Sequence, residues 1–130
     1  MTNAEIIRGI YDDFATGNIP GVLGAFDENI AWTEAAGFMY GGTHNGPNGV
    51  LSGVFMRIGT EWEGFAAVPN KIVDGGDGNV VAIGTYSGKF IQTGKSTTVP
   101  FAHEWEVRDG KVIKFHQHTD TLVIVRDLGL

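Results

Sequence analysis

Cysteine is absent from this chain of 130 residues. Its absence excludes a disulfide scaffold, a thiolate zinc site and a cysteine nucleophile, and it fits a reducing cytoplasm. Long apolar runs are also missing, because none approaches the roughly 18 residues that a membrane-crossing helix needs. The first residues lack the basic start and the long apolar stretch of a secretory signal. We therefore expect a cytoplasmic protein that does not enter a membrane.

Positive charge is scarce in this chain. There are 9 Lys and Arg residues against 15 Asp and Glu residues, which gives a formal net charge of −6, and the basic residues form no cluster. Such a surface repels a phosphate backbone, so we expect no nucleic-acid partner. The length and the apolar fraction of 42% indicate one globular domain that covers residues 1–130.

Glycine, in contrast, is abundant, with 20 residues in the chain. Three helices are predicted among the glycine-rich turns of the first half. Thr2 and Glu5 have the spacing of a capping box, and apolar residues follow them at helical spacing. Pro20 suits the first turn of a short second helix, and Pro47 suits that of a third, which ends at Gly59.

The rest of the chain is predicted to be mostly strand. Ile30–Glu34 alternates between apolar and polar residues, and residues 35–46 are typical of a loop. Further strands are indicated at Trp62–Val68, Asn70–Asp74 and Asn79–Phe90. A hairpin runs from Phe101 to Asp120 and turns at Arg108–Lys111. A closing helix is indicated at Thr121–Leu128. This order predicts an α+β fold, with helices on one face of a curved antiparallel or mixed sheet. Such a sheet leaves a concave apolar pocket, which is the default binding site.

Several motifs in this order and spacing resemble one known family. They are Trp32, Gly42–Asn48, Pro100–Trp105, Arg108–Val112 and Thr119–Thr121. The chain resembles the SnoaL-like polyketide cyclases and the ketosteroid-isomerase-related proteins of the nuclear transport factor 2-like superfamily. This resemblance implies a cone-shaped, cystatin-like barrel with about three N-terminal helices that enclose a pocket. It also implies a homodimer that packs through the outer face of the sheet.

Asp120 is the leading candidate for a catalytic base. In cyclase-like members of the family, an acid at the end of this strand removes a proton from the substrate. A carboxylate that faces an apolar pocket has a raised pKa, which makes it a stronger base. The alternative is that Asp120 caps the closing helix, which begins at Thr121.

His103 is expected to point into the pocket, because alternation places it on the same strand face as Phe101, Trp105 and Val107. The resemblance puts His103 where ketosteroid isomerases keep a protonated acid as an oxyanion donor. A neutral imidazole there donates to a developing enolate or passes on a proton. The alternative is a core histidine that a neighbouring hydroxyl or backbone group satisfies.

Glu34 is a second candidate base and lies two residues after Trp32. The resemblance places Glu34 close to the catalytic aspartate of the isomerases. Tyr11 is the one tyrosine of the first helix that is available as an oxyanion partner. The alternative is an exposed glutamate at the end of a strand.

The two histidines of the last strand, His116 and His118, alternate with Phe115 and share a face with Asp120. Because the resemblance directs Asp120 into the pocket, we expect a bulge or bend near the strand end. His116 is then exposed or at a dimer interface, and His118 is a candidate pocket residue. A His-x-His pair on a strand is typical of metal sites, but no third ligand is evident, so we expect neither a metal nor a cofactor.

Aromatic side chains are candidates for the lining of a hydrophobic ligand site. Together with His44, which lies in a glycine-rich loop, the candidate ligand-binding residues are Tyr11, Trp32, His44, Phe55, Trp105, Phe115 and His118. The alternative is that the aromatic residues are plain core, and that turn chemistry explains the loop around His44.

Two functions follow from these candidates. The first is a cofactor-independent enzyme that removes a proton next to a carbonyl group of a hydrophobic substrate, with Asp120 or Glu34 as base and His103 as donor. Isomerisation, aldol cyclisation or dehydration would result. The second is a ligand-binding or dimerisation module without catalysis. Both remain open because the family includes isomerases, cyclases, epoxide hydrolases, dehydratases and non-enzymatic binders.

Overall fold

Two helices open the chain in the computed structural model, which describes all residues from 1 to 130. Helix α1 (Asn3–Ala15) starts as predicted: the Glu5 amide donates to the Thr2 hydroxyl at 3.1 Å, and the Thr2 amide donates to the Glu5 carboxylate at 2.9 Å. This reciprocal capping box satisfies two amides at the helix start. Helix α2 (Ile19–Gly24) is short and carries Pro20 in its first turn.

The third predicted helix is confirmed, but it is irregular. It consists of α3 (Gly46–Val50), a π-helical turn (Leu51–Phe55) and α4 (Met56–Glu61), which we together call the helical wall. Its buried side chains include Val54 and Phe55, which both come from the π-helical turn. π-helical turns inside α-helices are rare, and those that occur are often found at functional sites.

A six-stranded mixed sheet forms the rest of the fold, and the α+β class is confirmed. The strands are β1 (Phe26–Glu34), β2 (Gly42–Asn45), β3 (Trp62–Gly76), β4 (Asn79–Phe90), β5 (Lys95–Arg108) and β6 (Lys111–Thr119), and helix α5 (Thr121–Leu128) follows. Their order across the sheet is β2-β1-β6-β5-β4-β3, with β1 and β6 parallel and all other neighbours antiparallel. Strands β2 and β3 end the sheet without pairing with each other, so the sheet forms an open cone and not a closed barrel.

Four strands differ from the sequence prediction, and one of them is β5, which begins at Lys95, six residues before the predicted start at Phe101. Strand β1 begins four residues earlier than expected, at Phe26, and β2 lies inside the predicted loop 35–46. Strand β3 is continuous where two strands were predicted, and Pro69 lies within it. Because β3 is an edge strand, the missing amide hydrogen of proline does not interrupt a central ladder.

The predicted hairpin between β5 and β6 is confirmed. Asp109 and Gly110 have φ angles of 51° and 76°, as a two-residue type I′ turn requires. Beyond the turn, residues 101–105 of β5 pair one by one with residues 115–119 of β6 without a shift. The bulge that we expected before Asp120 is therefore absent, and the expectation was wrong.

The hydrophobic core lies between the inner face of the sheet and the helices. It contains 25 buried apolar residues, many of them aromatic. Trp32 of β1 stacks on Phe115 of β6 with the ring centroids 3.6 Å apart, which follows from their direct pairing in register. None of the helices is long and apolar enough to cross a membrane.

Gly84 of β4 leaves no room for a side chain. A Cβ atom at this position would collide with the Val68 carbonyl oxygen on β3 and with the Phe101 ring on β5. Neither group moves freely, because one belongs to the backbone and the other to the packed core. We therefore expect Gly84→Ala to lower the free energy of unfolding by about 1–3 kcal/mol, measured by urea unfolding followed by circular dichroism.

Gly59→Ala is the matched control for this prediction. A Cβ atom at Gly59 would meet nothing within 4 Å, and the position lies in helix α4. Because alanine favours the helix more than glycine does, the free energy of unfolding should stay unchanged or rise by up to about 1 kcal/mol. Equal stabilities of Gly84→Ala and the wild type would contradict the close strand packing.

Candidate functional site

A cavity of about 50 Å³ lies between the inner face of the sheet and the helices, and we call it the central cavity. Fourteen of its 17 lining residues are hydrophobic. The lining consists of Ile10, Tyr11, Phe14, Val22, Trp32, Glu34, Phe38, Val54, Phe55, Ile58, Phe65, Ala67, Tyr86, His103, Trp105, Phe115 and Gln117. Glutamate, histidine and glutamine are the polar exceptions, and all three are buried.

Strand alternation places these three polar side chains inside the fold. His103 on β5 and Gln117 on β6 are direct partners in the antiparallel ladder. Glu34 is the last residue of β1 and follows Trp32 at the two-residue spacing of one strand face. The amide of Ala35 donates to Gln117 Oε1 at 3.0 Å, which fixes the end of β1 against β6.

His103 is hydrogen-bonded at both ring nitrogens. The Tyr11 hydroxyl lies 2.6 Å from Nδ1, and the Tyr86 hydroxyl lies 2.5 Å from Nε2. Trp105 Nε1 donates to the Tyr11 hydroxyl at 3.0 Å, and Gln117 Nε2 donates to the Tyr86 hydroxyl at 3.0 Å. Burial holds the pKa of His103 well below its usual 6.5, so the imidazole is neutral.

These hydrogen bonds leave one hydroxyl proton without an acceptor. The two contacts between tyrosine and imidazole need two protons, whereas two hydroxyls and a neutral imidazole supply three. The tyrosine that accepts a proton from His103 therefore keeps its own proton for another acceptor. Because Tyr11 and Tyr86 both line the central cavity, this proton is available to the oxygen of a ligand.

Glu34 is the least satisfied polar group of the cavity. Its side chain is 4% exposed, and neither Glu34 Oε2 nor the neighbouring Trp32 Nε1 has a hydrogen-bond partner. Burial raises the pKa of Glu34 from 4.5 to about 8, and the Trp32 indole opposes this rise to a smaller extent without reaching hydrogen-bond geometry. At neutral pH the carboxyl group is thus mostly protonated, but it is poised to exchange its proton.

The structure brings seven of the residues predicted from the sequence together. Of the catalytic candidates, Glu34 and His103 line the central cavity. Of the ligand-binding candidates, the cavity is lined by Tyr11, Trp32, Phe55, Trp105 and Phe115. Three candidates, Asp120, His44 and His118, lie elsewhere.

Asp120 caps helix α5 and does not reach the cavity. Its side chain is exposed, and its Oδ1 accepts a hydrogen bond from the Val123 amide at 3.1 Å. The regular pairing of β6 ends one residue earlier, at Thr119, so no bulge turns Asp120 inward. The expectation that Asp120 projects into the pocket was wrong, and the alternative of a helix cap is the one the structure has.

His44 and His118 also lie outside the cavity. His44 Nε2 contacts the Tyr40 carbonyl oxygen at 2.9 Å, and its ring packs closely against Gly53 of the helical wall. His118 faces outward from the sheet, and its Nε2 lies 2.6 Å from Glu104 Oε2. Local packing determines the position of His44, and strand alternation determines that of His118.

Tyr86 and Gln117 are functional candidates that the sequence analysis missed. Gln117 alternates with Phe115 on β6, so strand parity alone places this amide inside. Tyr86 shares its face with Ala82 and Gly84 on β4, and the Phe101 ring of β5 occupies the space over Gly84. A polar group on an otherwise apolar strand face was the available signal.

Comparison with known proteins places these residues in context. The model of the SnoaL-like domain family matches residues 7–115. A solved NTF2-like (nuclear transport factor 2-like) protein from Burkholderia thailandensis E264 is 34% identical, with a TM-score of 0.94 and coverage of 98% of both chains. No curated protein matches this chain.

Two further solved structures share the fold. TerC, which was co-crystallised with polyporic acid, is 27% identical with a TM-score of 0.87, and 98% of both chains is covered. A protein from Catenulispora acidiphila DSM 44928 with a ketosteroid isomerase-like fold is 19% identical, with a TM-score of 0.83 and coverage of 97% of this chain and 93% of that one. The second likeness concerns the fold alone.

The raised pKa of Glu34 predicts a specific dependence of stability on pH. The unfolded chain loses this proton near pH 4.5, whereas the folded chain keeps it up to about pH 8. The contribution of Glu34 to stability is therefore greatest below pH 4.5 and is lost as the pH rises to 8. Glu34→Gln has no carboxyl proton to lose. The free energy of unfolding of this variant minus that of the wild type should therefore increase between pH 4.5 and pH 8.

Urea unfolding of both proteins between pH 5 and pH 9 measures this difference. The gain of Glu34→Gln over the wild type should be small at pH 5 and reach several kcal/mol, on the order of 5, above pH 8. Titration of His103 is common to both proteins and cancels in the comparison. A difference that does not change with pH would mean that the Glu34 carboxyl titrates normally.

Proposed function

The chain belongs to the SnoaL-like domain family, and we propose that it is a cofactor-independent enzyme that transfers a proton next to a carbonyl group of a small hydrophobic substrate. The observation that carries this proposal is the Glu34 carboxyl group, which is buried without a partner for Oε2 in an apolar cavity. Burial of such a group lowers the stability of the folded state. Groups of this kind are concentrated at sites of acid–base chemistry.

The proposed base is Glu34 in its ionised form. The carboxylate takes a proton from the carbon next to the substrate carbonyl, and the electron pair of that C–H bond moves to form an enolate. In a β,γ-unsaturated substrate, the resulting glutamic acid then returns the proton to the γ-carbon of the dienolate, which completes an isomerisation without a net change in atoms. A pKa of about 8 suits this role, because a base is most effective when its pKa lies near the working pH.

The proposed oxyanion donor is the spare tyrosine proton at His103. The carbonyl oxygen of the substrate accepts it from Tyr11 or Tyr86, whichever hydroxyl accepts the His103 N–H. Both hydroxyls are held in place by Trp105 and Gln117, so the donor is oriented before the substrate arrives. A donor that needs no reorganisation stabilises the charge that develops on the enolate oxygen. Trapping of the same enolate by a second carbonyl would give the aldol cyclisation that the family also contains.

The size of the central cavity limits the substrate. Its volume of about 50 Å³ is several times smaller than the roughly 300–1,000 Å³ of sites for drug-sized ligands. A ligand of a few heavy atoms is therefore favoured, unless the helical wall moves outward at Val54, Phe55 and Ile58, which line the cavity. Polyporic acid, the ligand of the TerC structure, is a suitable first probe for a larger substrate.

Proton abstraction can be tested without knowing the product. We expect the wild type to accelerate the exchange of α-hydrogens in small cyclic ketones and enones in D₂O, measured by the loss of their ¹H NMR signals. Glu34→Gln should lose at least about 100-fold in this rate, because it removes the proton acceptor. Asp120→Asn is the matched control and should retain the wild-type rate, since Asp120 lies outside the cavity.

The pH profile separates a base from an acid at Glu34. For a base with a pKa of about 8, the exchange rate should rise about tenfold per pH unit below 8 and then level off. A rate that falls through pH 8 would contradict the assignment of Glu34 as base. Loss of exchange in Asp120→Asn but not in Glu34→Gln would overturn the whole assignment.

A ligand-binding module without catalysis is the second candidate function. The apolar character of the lining, with 14 of 17 residues hydrophobic, favours it. This alternative expects no accelerated exchange in the wild type, together with similar ligand affinities for the wild type and Glu34→Gln. Calorimetry with the same ketones and with polyporic acid compares these affinities.

We also propose a homodimer that forms through the outer face of the sheet. Val68, Val73 and Ile83 are exposed on this face by 56%, 44% and 38%, and the pairing of β3 with β4 puts them on the same side. Adjacent apolar side chains of this kind are typical of an association surface.

Ile83→Arg should convert the dimer to a monomer, because an unpaired charge in an apolar interface is costly. Size-exclusion chromatography with light scattering measures the mass. Met56→Arg is the matched control, since Met56 is exposed by 57% but lies on helix α4, away from the sheet. An unchanged mass for Ile83→Arg would contradict this interface.

A further inference from the structure

Two histidines and a glutamate meet on the outer face of the sheet, on the side opposite to the central cavity. They are His116 and His118 of β6 and Glu104 of β5. No third ligand is evident in the sequence near the two histidines, because Glu104 lies twelve positions before His116 and only strand pairing brings it close. The structure thus supplies a third candidate ligand, and we propose that these three residues form a binding site for a divalent transition-metal ion, represented by Zn²⁺.

Strand register builds this cluster. Glu104 is the direct partner of His116, and His118 lies opposite Ala102, two residues away along β5 on the same face. The two imidazole rings are stacked with their centroids 4.4 Å apart. Because β5 and β6 are central strands of the sheet, the backbone holds the three side chains at fixed spacing.

The distances between the ligand atoms suit a metal ion. Glu104 Oε2 lies 2.6 Å from His118 Nε2 and 4.0 Å from His116 Nδ1, and all ligand atoms lie within 4.8 Å of one another. A tetrahedral ion with bonds of about 2.1 Å holds its ligand atoms about 3.4 Å apart. The observed distances fall on both sides of this value, and the side chains are about half exposed, so small rotations bring all three into place.

The charge around Glu104 also favours a cation. The only ion-pair partners of Glu104 are the two histidines, and no lysine or arginine lies within 4.0 Å of its carboxylate. Lys114 lines the same groove, where it is the register partner of Glu106 and makes no ion pair with Glu104. When both imidazoles are neutral, the negative charge of Glu104 is thus left uncompensated, and a divalent ion would balance it.

The ligand types indicate which ions bind. Two imidazole nitrogens and one carboxylate oxygen suit Zn²⁺ and its neighbours Co²⁺, Ni²⁺ and Cu²⁺ better than Mg²⁺ or Ca²⁺, which prefer oxygen ligands. Three protein ligands leave at least one coordination position for water. The cluster borders a surface groove that includes Thr33, Thr43, Glu106 and Lys114, so this open position is accessible to solvent in the single chain.

Calorimetric titration of the full chain with ZnCl₂ tests the site, in a preparation that carries no polyhistidine tag. We expect one ion to bind per chain. Glu104→Gln, His116→Ala and His118→Ala should each weaken binding by at least about 10- to 100-fold, the loss that removal of even an outer-shell partner causes. Glu106→Gln is the matched control and should bind as the wild type does, because Glu106 is a neighbouring carboxylate outside the cluster.

Cobalt provides a second readout that does not depend on heat. Addition of CoCl₂ to the wild type should produce visible absorption bands of a four- or five-coordinate ion, and His116→Ala should lose them. Circular dichroism of each variant verifies that it is folded, so a loss of binding is not a loss of structure. The proposal is overturned if the wild type shows neither heat nor cobalt bands at millimolar metal. It is equally overturned if the double variant His116→Ala/His118→Ala binds as tightly as the wild type.

Discussion

The pairing of β5 with β6 is the constraint on which the rest of this molecule depends. Successive residues of a strand point to opposite faces, so the register of this ladder decides which side chains enter the cavity. It turns His103 and Gln117 inward, and it turns Glu104 and His118 outward. A slip of one residue would exchange the two sets, placing charged side chains in the core and leaving the aromatic rings in water.

Two buried polar groups line the cavity, and they differ in whether their hydrogen bonds are satisfied. His103 is satisfied at both nitrogens by tyrosines that are themselves held by Trp105 and Gln117. Glu34, by contrast, has an oxygen without any partner. A fully bonded network gives rigidity, whereas an unsatisfied carboxyl group gives reactivity at a cost in stability. The division of these roles between two residues of one cavity is the physical basis of the proposed chemistry.

The sequence predicted local features of the fold well. The capping box at Thr2, the turn at Asp109 and the inward direction of His103 each depend on a few neighbouring residues, and all three are found in the structure. The position of Asp120 could not be decided in this way. It depends on where β6 ends and α5 begins, and a free helix amide competes with the pocket for the carboxylate.

Features that arise from pairing between distant segments escaped the sequence analysis. Tyr86 meets His103 only because β4 lies beside β5, and Glu104 meets His116 only through the hairpin register. The pattern of neighbouring residues indicates which side chains of a strand share a face. It does not indicate which residues of the next strand lie opposite them. The predicted aromatic lining succeeded because every apolar inward position contributes to one core, whatever the alignment.

Strand β3 ends the sheet with fifteen residues whose outer backbone edge has no partner. A long free edge of this kind invites another chain to extend the ladder, which is the first step towards fibrils. Pro69 lies within this strand and has no amide hydrogen to offer to an incoming strand. Pro69 therefore hinders the addition of another strand to β3, which is much the longer of the two edge strands of the sheet.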